Sequence, residues 1–262
     1  MELGLRDKVA LVAASSRGLG YAIAHELATE GAAIVLCARG EERLKQAARE
    51  IAEATGARVV PVAGDVAKLD DVATIARRAL DELGRVDVLV TNSGGPPAGT
   101  FESTSPLAWK AAVDVLLTSA VELIRAVLPG MKERRFGRIL NVTSITVKQP
   151  VENLILSNAL RAAVTGMART LASETAPFGI TVNNLLPGYT RTERLTELAD
   201  ATAARGGTVK EFYARLETEI PARRLGEPRE LAALAAFLAS ERAAYITGQS
   251  IAVDGGWIRG LF

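Results

Sequence analysis

What this chain lacks narrows its class before any motif is read. It has one cysteine, Cys37, and one histidine, His25. A lone cysteine excludes an internal disulfide and any cysteine-rich metal site, and within its apolar run Cys37 is expected to pack as a small hydrophobe. His25 falls in an alanine- and leucine-rich helix, where packing or solvent exposure is expected. Serine-hydrolase and histidine-metal chemistries thereby lose their usual base or ligand, and no metal site is expected. Charge of either sign is not in excess: 31 Lys and Arg face 30 Asp and Glu, for a formal net charge of +1. Without a basic block there is no electrostatic footprint for nucleic acid or for an anionic membrane. No apolar run is long enough to span a bilayer and the N-terminus has no signal-peptide layout, so a cytoplasmic protein is expected. Repeats, low-complexity tracts and linkers are also missing from the 262 residues, a length that suits one α/β domain.

What is present is organised around the stretch Lys8 to Gly20, an apolar run that ends in a glycine-containing turn opening a helix. Val9 to Val12 read as a strand buried on both faces and Tyr21 to Ala28 as a helix. Ser15 and Ser16 are placed to cap that helix, while Gly18 and Gly20 let backbone approach a ligand. A helix begun this way presents N–H groups and the positive end of its dipole to the turn, which suits a pyrophosphate.

Strands and helices then alternate. Strands are predicted over Ala32 to Ala38, Arg58 to Val62, Val86 to Val90, Gly137 to Val142, Ile180 to Leu185 and Ser250 to Val253. Between them lie helices over Glu41 to Thr55, Asp70 to Leu83, Pro106 to Met131, Leu154 to Ala176 and Glu227 to Ala239. This alternation predicts right-handed βαβ units, a parallel sheet and helices on both faces. Ligands of such sheets bind beyond the carboxyl ends of the strands. Two irregular stretches stand out: residues 92–105 read as a binding loop and residues 189–221 as a lid.

Several motifs together resemble the short-chain dehydrogenase/reductase family, 3-oxoacyl-acyl-carrier-protein reductases in particular, from about Leu5 to Trp257. They are the turn Ala13 to Gly20, the Gly64-Asp65-Val66 element, Thr91-Asn92-Ser93-Gly94, Asn141 to Ser144, Leu171 to Gly188 and Gly248 to Gly256. The resemblance implies a single Rossmann domain with a seven-stranded sheet in the order 3-2-1-4-5-6-7, and a homo-oligomer, usually a tetramer. It also implies cofactor contacts from Ser15, Ser16, Arg17, Gly18, Leu19, Gly20, Asp65, Val66, Asn92, Ser93, Gly94, Pro187, Gly188 and Thr192. Ala14 stands where the family has its first glycine, so a methyl group enters a tight turn.

Cofactor choice follows from charge. An acidic residue about 20 positions past the glycines holds the ribose 2′-hydroxyl of NAD, whereas an arginine there suits the 2′-phosphate of NADP. Here that place reads Cys37-Ala38-Arg39, and Arg17 adds a second guanidinium. NADP(H) is therefore preferred, with NAD(H) still open.

The resemblance implies a different outcome for catalysis. Its serine is matched by Ser144, but Ser157 stands at its tyrosine, Arg161 at its lysine and Leu116 at its asparagine. Ser157 and Arg161, four apart on a helix, share a face. Arg161 can bond ribose hydroxyls but cannot give up a proton near neutral pH, and a serine hydroxyl is a poor acid unless water helps it. Tyr189 or Glu152 are the candidate proton donors, with Lys148 and Asn153 nearby, and Leu116, Leu154 and Leu156 suggest an apolar pocket. Two readings remain: a reductase or dehydrogenase acting on a small carbonyl or alcohol through Ser144, Ser157, Arg161 and Tyr189, or a catalytically silent cofactor-binding sensor or supporting subunit.

Overall fold

The computed structural model describes residues 2–204 and 206–261. Met1, Arg205 and Phe262 lie outside the described residues, Arg205 within the stretch expected as a lid. Seven parallel strands form one sheet: β1 (Val9–Val12), β2 (Ala33–Ala38), β3 (Val59–Ala63), β4 (Val88–Thr91), β5 (Gly137–Val142), β6 (Ile180–Pro187) and β7 (Ser250–Val253), in the order β3-β2-β1-β4-β5-β6-β7. The expected order is the observed one. Register is set from the centre, where Ala10 pairs with Ile34 on one side and Val88 on the other.

Successive residues of β1 serve opposite faces, as the strand's two-residue period requires. Ala10 and Val12 enter a core with Ile23 and Leu27 of α1 (Gly18–Thr29), Leu44 and Ile51 of α2 (Glu41–Thr55), and Leu231 and Ala235 of a later helix. Leu11 enters the opposite core with Ile75 of α3 (Leu69–Leu83) and with Leu123 and Ala168 of two later helices. Each face is thus sealed by three helices, which is why the strands are apolar runs.

Several boundaries differ from the sequence reading by a residue or two, and three differences bear on the site. The first helix starts at Gly18 rather than Tyr21, its N-cap is Arg17, and no side chain caps it. Ser15 is occupied elsewhere: its hydroxyl donates to the Val12 carbonyl at 2.7 Å and accepts from Cys37 N at 3.1 Å, tying the ends of β1 and β2. The single long helix expected over Pro106 to Met131 is α4 (Pro106–Val113) and α5 (Ser119–Arg134) joined by a π-helical turn over Asp114–Thr118. That turn carries Leu116. Residues 189–221 contain two helices, α7 (Glu193–Ala203) and α8 (Val209–Glu219), after α6 (Ile155–Thr175) and before α9 (Pro228–Ala239). They gather Leu195, Phe212 and Leu216 around Trp257 in a third apolar cluster beyond the strand ends. No helix of the described residues is long and apolar enough to cross a membrane.

Candidate active site

A cleft of about 700 Å³ runs along the carboxyl ends of the strands, a size suited to a large organic ligand. Of the cofactor contacts predicted from sequence and the group Ser144, Ser157, Arg161 and Tyr189, all but Ser15 and Gly20 line it. Those two act beneath the surface. Ser15 is fully buried, which corrects its expected roles as cap and cofactor contact. Gly20 permits close packing: an added Cβ would collide with the Ala14 carbonyl oxygen and lie 2.9 Å from Asn92 Nδ2. Asn92 in turn donates to that carbonyl at 3.2 Å, so the loop after β4 braces the first turn.

One end of the cleft is formed by the start of α1. The uncapped α1 helix opens into it through Ser16, Arg17, Gly18 and Leu19, and its first-turn N–H groups have no acceptor among the described residues. Ala14 holds a left-handed φ of +47°, a strained conformation for a residue that carries a methyl group. Arg39 is exposed at the end of β2, whereas Arg17 is ion-paired with Glu193 of α7 across the cleft. Asp65 Oδ1 accepts from Ala67 N at 3.0 Å, which folds Asp65 and Val66 into the wall. Ser93 and Gly94 follow Asn92 along that wall. On the far side, Gly188 lies against Asp254, whose Cα would be 2.7 Å from an added Cβ, and Pro187 and Thr192 complete the rim.

The other end is organised by α6 and the end of β5. Arg161 Nε donates to Ser157 Oγ at 3.2 Å, and its Nη1 donates to the carbonyls of Val142 and Thr143, both at 2.9 Å. Burial, aided by the charge of Arg194, pulls the Arg161 pKa down to about 10. Ser144 Oγ accepts from Thr146 N at 3.2 Å. Each serine therefore has a lone pair engaged by an N–H and its own hydrogen free to donate.

The remaining candidates separate. Tyr189 lines the cleft, its ring edge-on to Trp257 at 5.7 Å. Burial and the charge of Glu219 raise its pKa, with Arg215 opposing, so the charges it feels come from α8 rather than from Arg161. Lys148, Glu152 and Asn153 are absent from the cleft lining; all three are exposed, and Asn153 takes φ +59° in the turn that accepts Gly99 N. Glu152 is thereby corrected as a proton donor. Of the three leucines, only Leu154 lines the cleft, while Leu116 and Leu156 are buried together with Ala112 and Leu160. A second cavity of about 10 Å³ is lined by Leu116, Ser119, Thr143 and Arg161 among others and has room for about one water.

Arg194 was missed from the sequence. It donates to the Pro96 carbonyl at 2.7 Å and pairs with Glu197 at 3.2 Å, bringing α7 over the loop after β4. Only the fold brings it near Arg161, and an arginine at the start of a solvent-facing helix carries no local signal.

Comparison with known proteins agrees with this geometry. A family model described as enoyl-(acyl carrier protein) reductase matches residues 13–258. The chain belongs to the short-chain dehydrogenase/reductase family. It is 36% identical to a 3-oxoacyl-[acyl-carrier-protein] reductase of Vibrio cholerae over 97% of this chain and 98% of that one. It is 32% identical to an NADPH-dependent reductase of Bacillus subtilis, covering 98% and 100%. Among solved structures it resembles L-sorbose reductase of Gluconobacter frateurii, complexed with NADPH and L-sorbose, at 37% identity, TM-score 0.95 and full coverage of both chains. Like these members of the short-chain dehydrogenase/reductase family, the chain is a reductase-type oxidoreductase in fold and descent.

Proposed function

We propose that this protein is an NADP(H)-dependent reductase of small carbonyl compounds, acting as a homo-oligomer, in which Ser144, Ser157 and Arg161 form an altered catalytic group. One observation carries the reading: a single cleft joins the uncapped start of α1 to the Ser144, Ser157 and Arg161 cluster. The residues present fit the cofactor, because Gly20 lets the turn close and the open N–H groups of α1 suit a pyrophosphate. Arg39 and Arg17 supply guanidinium donors for a 2′-phosphate, Arg17 by exchanging Glu193 for it. The NADPH dependence of the Bacillus relative and the NADPH held by the sorbose reductase support the same choice.

When bound, NADPH supplies the hydride. Ser144 and Ser157 then donate hydrogen bonds to the substrate oxygen as charge develops on it, and the Arg161 guanidinium stabilises that charge through Ser157. Neither serine is acidic enough to complete the protonation, so water delivers the proton. Tyr189 shapes the wall and holds its proton tightly. The alternative, a catalytically silent cofactor sensor, is favoured by this same lack of an activated acid.

Calorimetric titration of the cofactor-free protein with NADPH and NADH tests the reading. Micromolar NADPH binding, on the order of −8 kcal/mol, is expected, and NADH should bind more weakly. Arg39→Ala should weaken NADPH by at least about tenfold while leaving NADH nearly unchanged, since a charge-assisted bond is worth about 1.5–3 kcal/mol. NADPH binding without turnover of any carbonyl would favour the sensor, and no saturation by either nucleotide would overturn both readings.

A further inference from the structure

Around the two serines the cleft is walled by apolar and aromatic side chains. Ile145 follows Ser144, Val151 and Leu154 precede α6, Tyr189 follows β6, and α7 contributes Leu195 and Leu198. The two α7 leucines are three residues apart and share a helix face. This wall is held from behind: Ile145 and Leu195 are buried in the third apolar cluster with Phe212 and Trp257, and Val151, Tyr189 and Leu198 pack against it.

The polar side chains among these residues are already engaged. Arg194 donates to the Pro96 carbonyl and pairs with Glu197, so neither charge is free. The Thr190 hydroxyl donates to the Gly188 carbonyl at 3.2 Å. Thr146 lines the cleft, but its hydroxyl has essentially no accessible surface and nothing in the cleft reaches it. The charges that act on the Tyr189 phenol are those of Glu219 and Arg215 on α8, so its polar tip lies toward that helix. Ser144, Ser157 and Arg161 serve the reacting oxygen and the cofactor. A further hydroxyl or charge on the substrate would therefore give up water at this wall and gain no side-chain partner, whereas an alkyl or aryl group gives up nothing and releases water from both surfaces.

We propose, building on the reductase reading above, that the substrate is a ketone whose other substituents are apolar, an alkyl or aryl ketone rather than a polyhydroxy ketone or an oxo acid, and that Val151, Leu154, Leu195 and Leu198 set this specificity. The serines hold the carbonyl oxygen and the wall takes the chain. Discrimination comes from what the wall withholds, since an apolar pocket rejects an added hydroxyl by up to about 10²-fold.

The test titrates the full chain with 2-butanone, 2-pentanone, 2-heptanone and 6-hydroxy-2-hexanone, the isostere of 2-heptanone with a hydroxyl for its last methyl group. Binding is followed by ligand-detected NMR with and without saturating NADP⁺, which cannot reduce a ketone and so permits no turnover. Affinity should rise about two- to fourfold per methylene along the three plain ketones. The terminal hydroxyl should cost at least about fivefold against 2-heptanone. Val151→Thr and Leu198→Asn each add a polar group to the wall and should narrow that preference at least about threefold, with NADP⁺ affinity unchanged. Circular dichroism confirms that each variant is folded. Flat affinity along the series, a hydroxyketone bound as tightly as 2-heptanone, a preference that the folded variants leave intact, or binding of no ketone in either arm overturns the proposal. If the ketones bind as expected while NADP⁺ does not saturate, the reductase reading falls and the apolar subsite stands.

Discussion

The two ends of the cleft obey different physical rules. The α1 end is made of backbone: open N–H groups, a left-handed turn and a glycine against which Asn92 and the Ala14 carbonyl pack. Such a site depends on what is small or absent, so nearly any side chain added to it does harm. The α6 end is made of side chains held by neutral acceptors, and Ser157 and Arg161 occupy one helical face whatever chemistry they perform. A backbone site therefore tolerates little change in sequence, whereas a side-chain site can exchange proton transfer for charge without disturbing its scaffold.

Breaking the backbone end should have the largest effect. Gly20→Ala forces a methyl group into the Ala14 carbonyl and the Asn92 amide, where backbone cannot retreat. We expect a loss of about 3 kcal/mol in denaturant unfolding, at the upper end for overpacking, together with loss of NADPH binding. At the side-chain end, Ser157→Tyr combined with Arg161→Lys places a phenol and an ammonium on one helix face. An activated general acid contributes about 10²–10⁴-fold. Because Leu116 is sealed into an apolar cluster and can offer no amide, we expect less than about tenfold gain in reduction of a neutral ketone such as cyclohexanone, far below that general-acid range. A gain of 10² or more would show that the floor is an eroded version of the usual site. The smallest effect sharpens the contrast: Ala14→Gly relieves roughly 1 kcal/mol of left-handed strain but loosens the unfolded chain, so a net stabilisation of about 0.5 kcal/mol is expected in thermal unfolding.

Much of this was legible along the chain. The alternation of elements sufficed for a parallel sheet covered on both faces, the family resemblance supplied the strand order, and the cleft lining recovers nearly every residue named from motifs. The misreadings have a common origin in competition for hydrogen bonds. Ser15 looked like a cap, but the open end of β2 offered Cys37 N and captured its hydroxyl. The helix over Pro106 to Met131 looked continuous, yet it takes a π turn at Asp114–Thr118, where the Ser119 hydroxyl donates back to Val115 O at 2.5 Å. Glu152 looked available because it lies between Ser144 and Ser157 in sequence, whereas the turn at Asn153 leaves it at the surface.

By itself, the sequence determined the family, the parallel sheet and the place of the glycine-containing turn that opens α1, because these follow from local periodicity and from glycine placement within short windows. Only the tertiary structure decided which charges meet. Arg17 faces Glu193 across 176 residues, and Arg194 comes within electrostatic reach of Arg161 from a helix beyond the sixth strand. Charge acts through space rather than along the chain, so the electrostatic character of the cleft floor emerges only once the strand ends and α7 have been brought together.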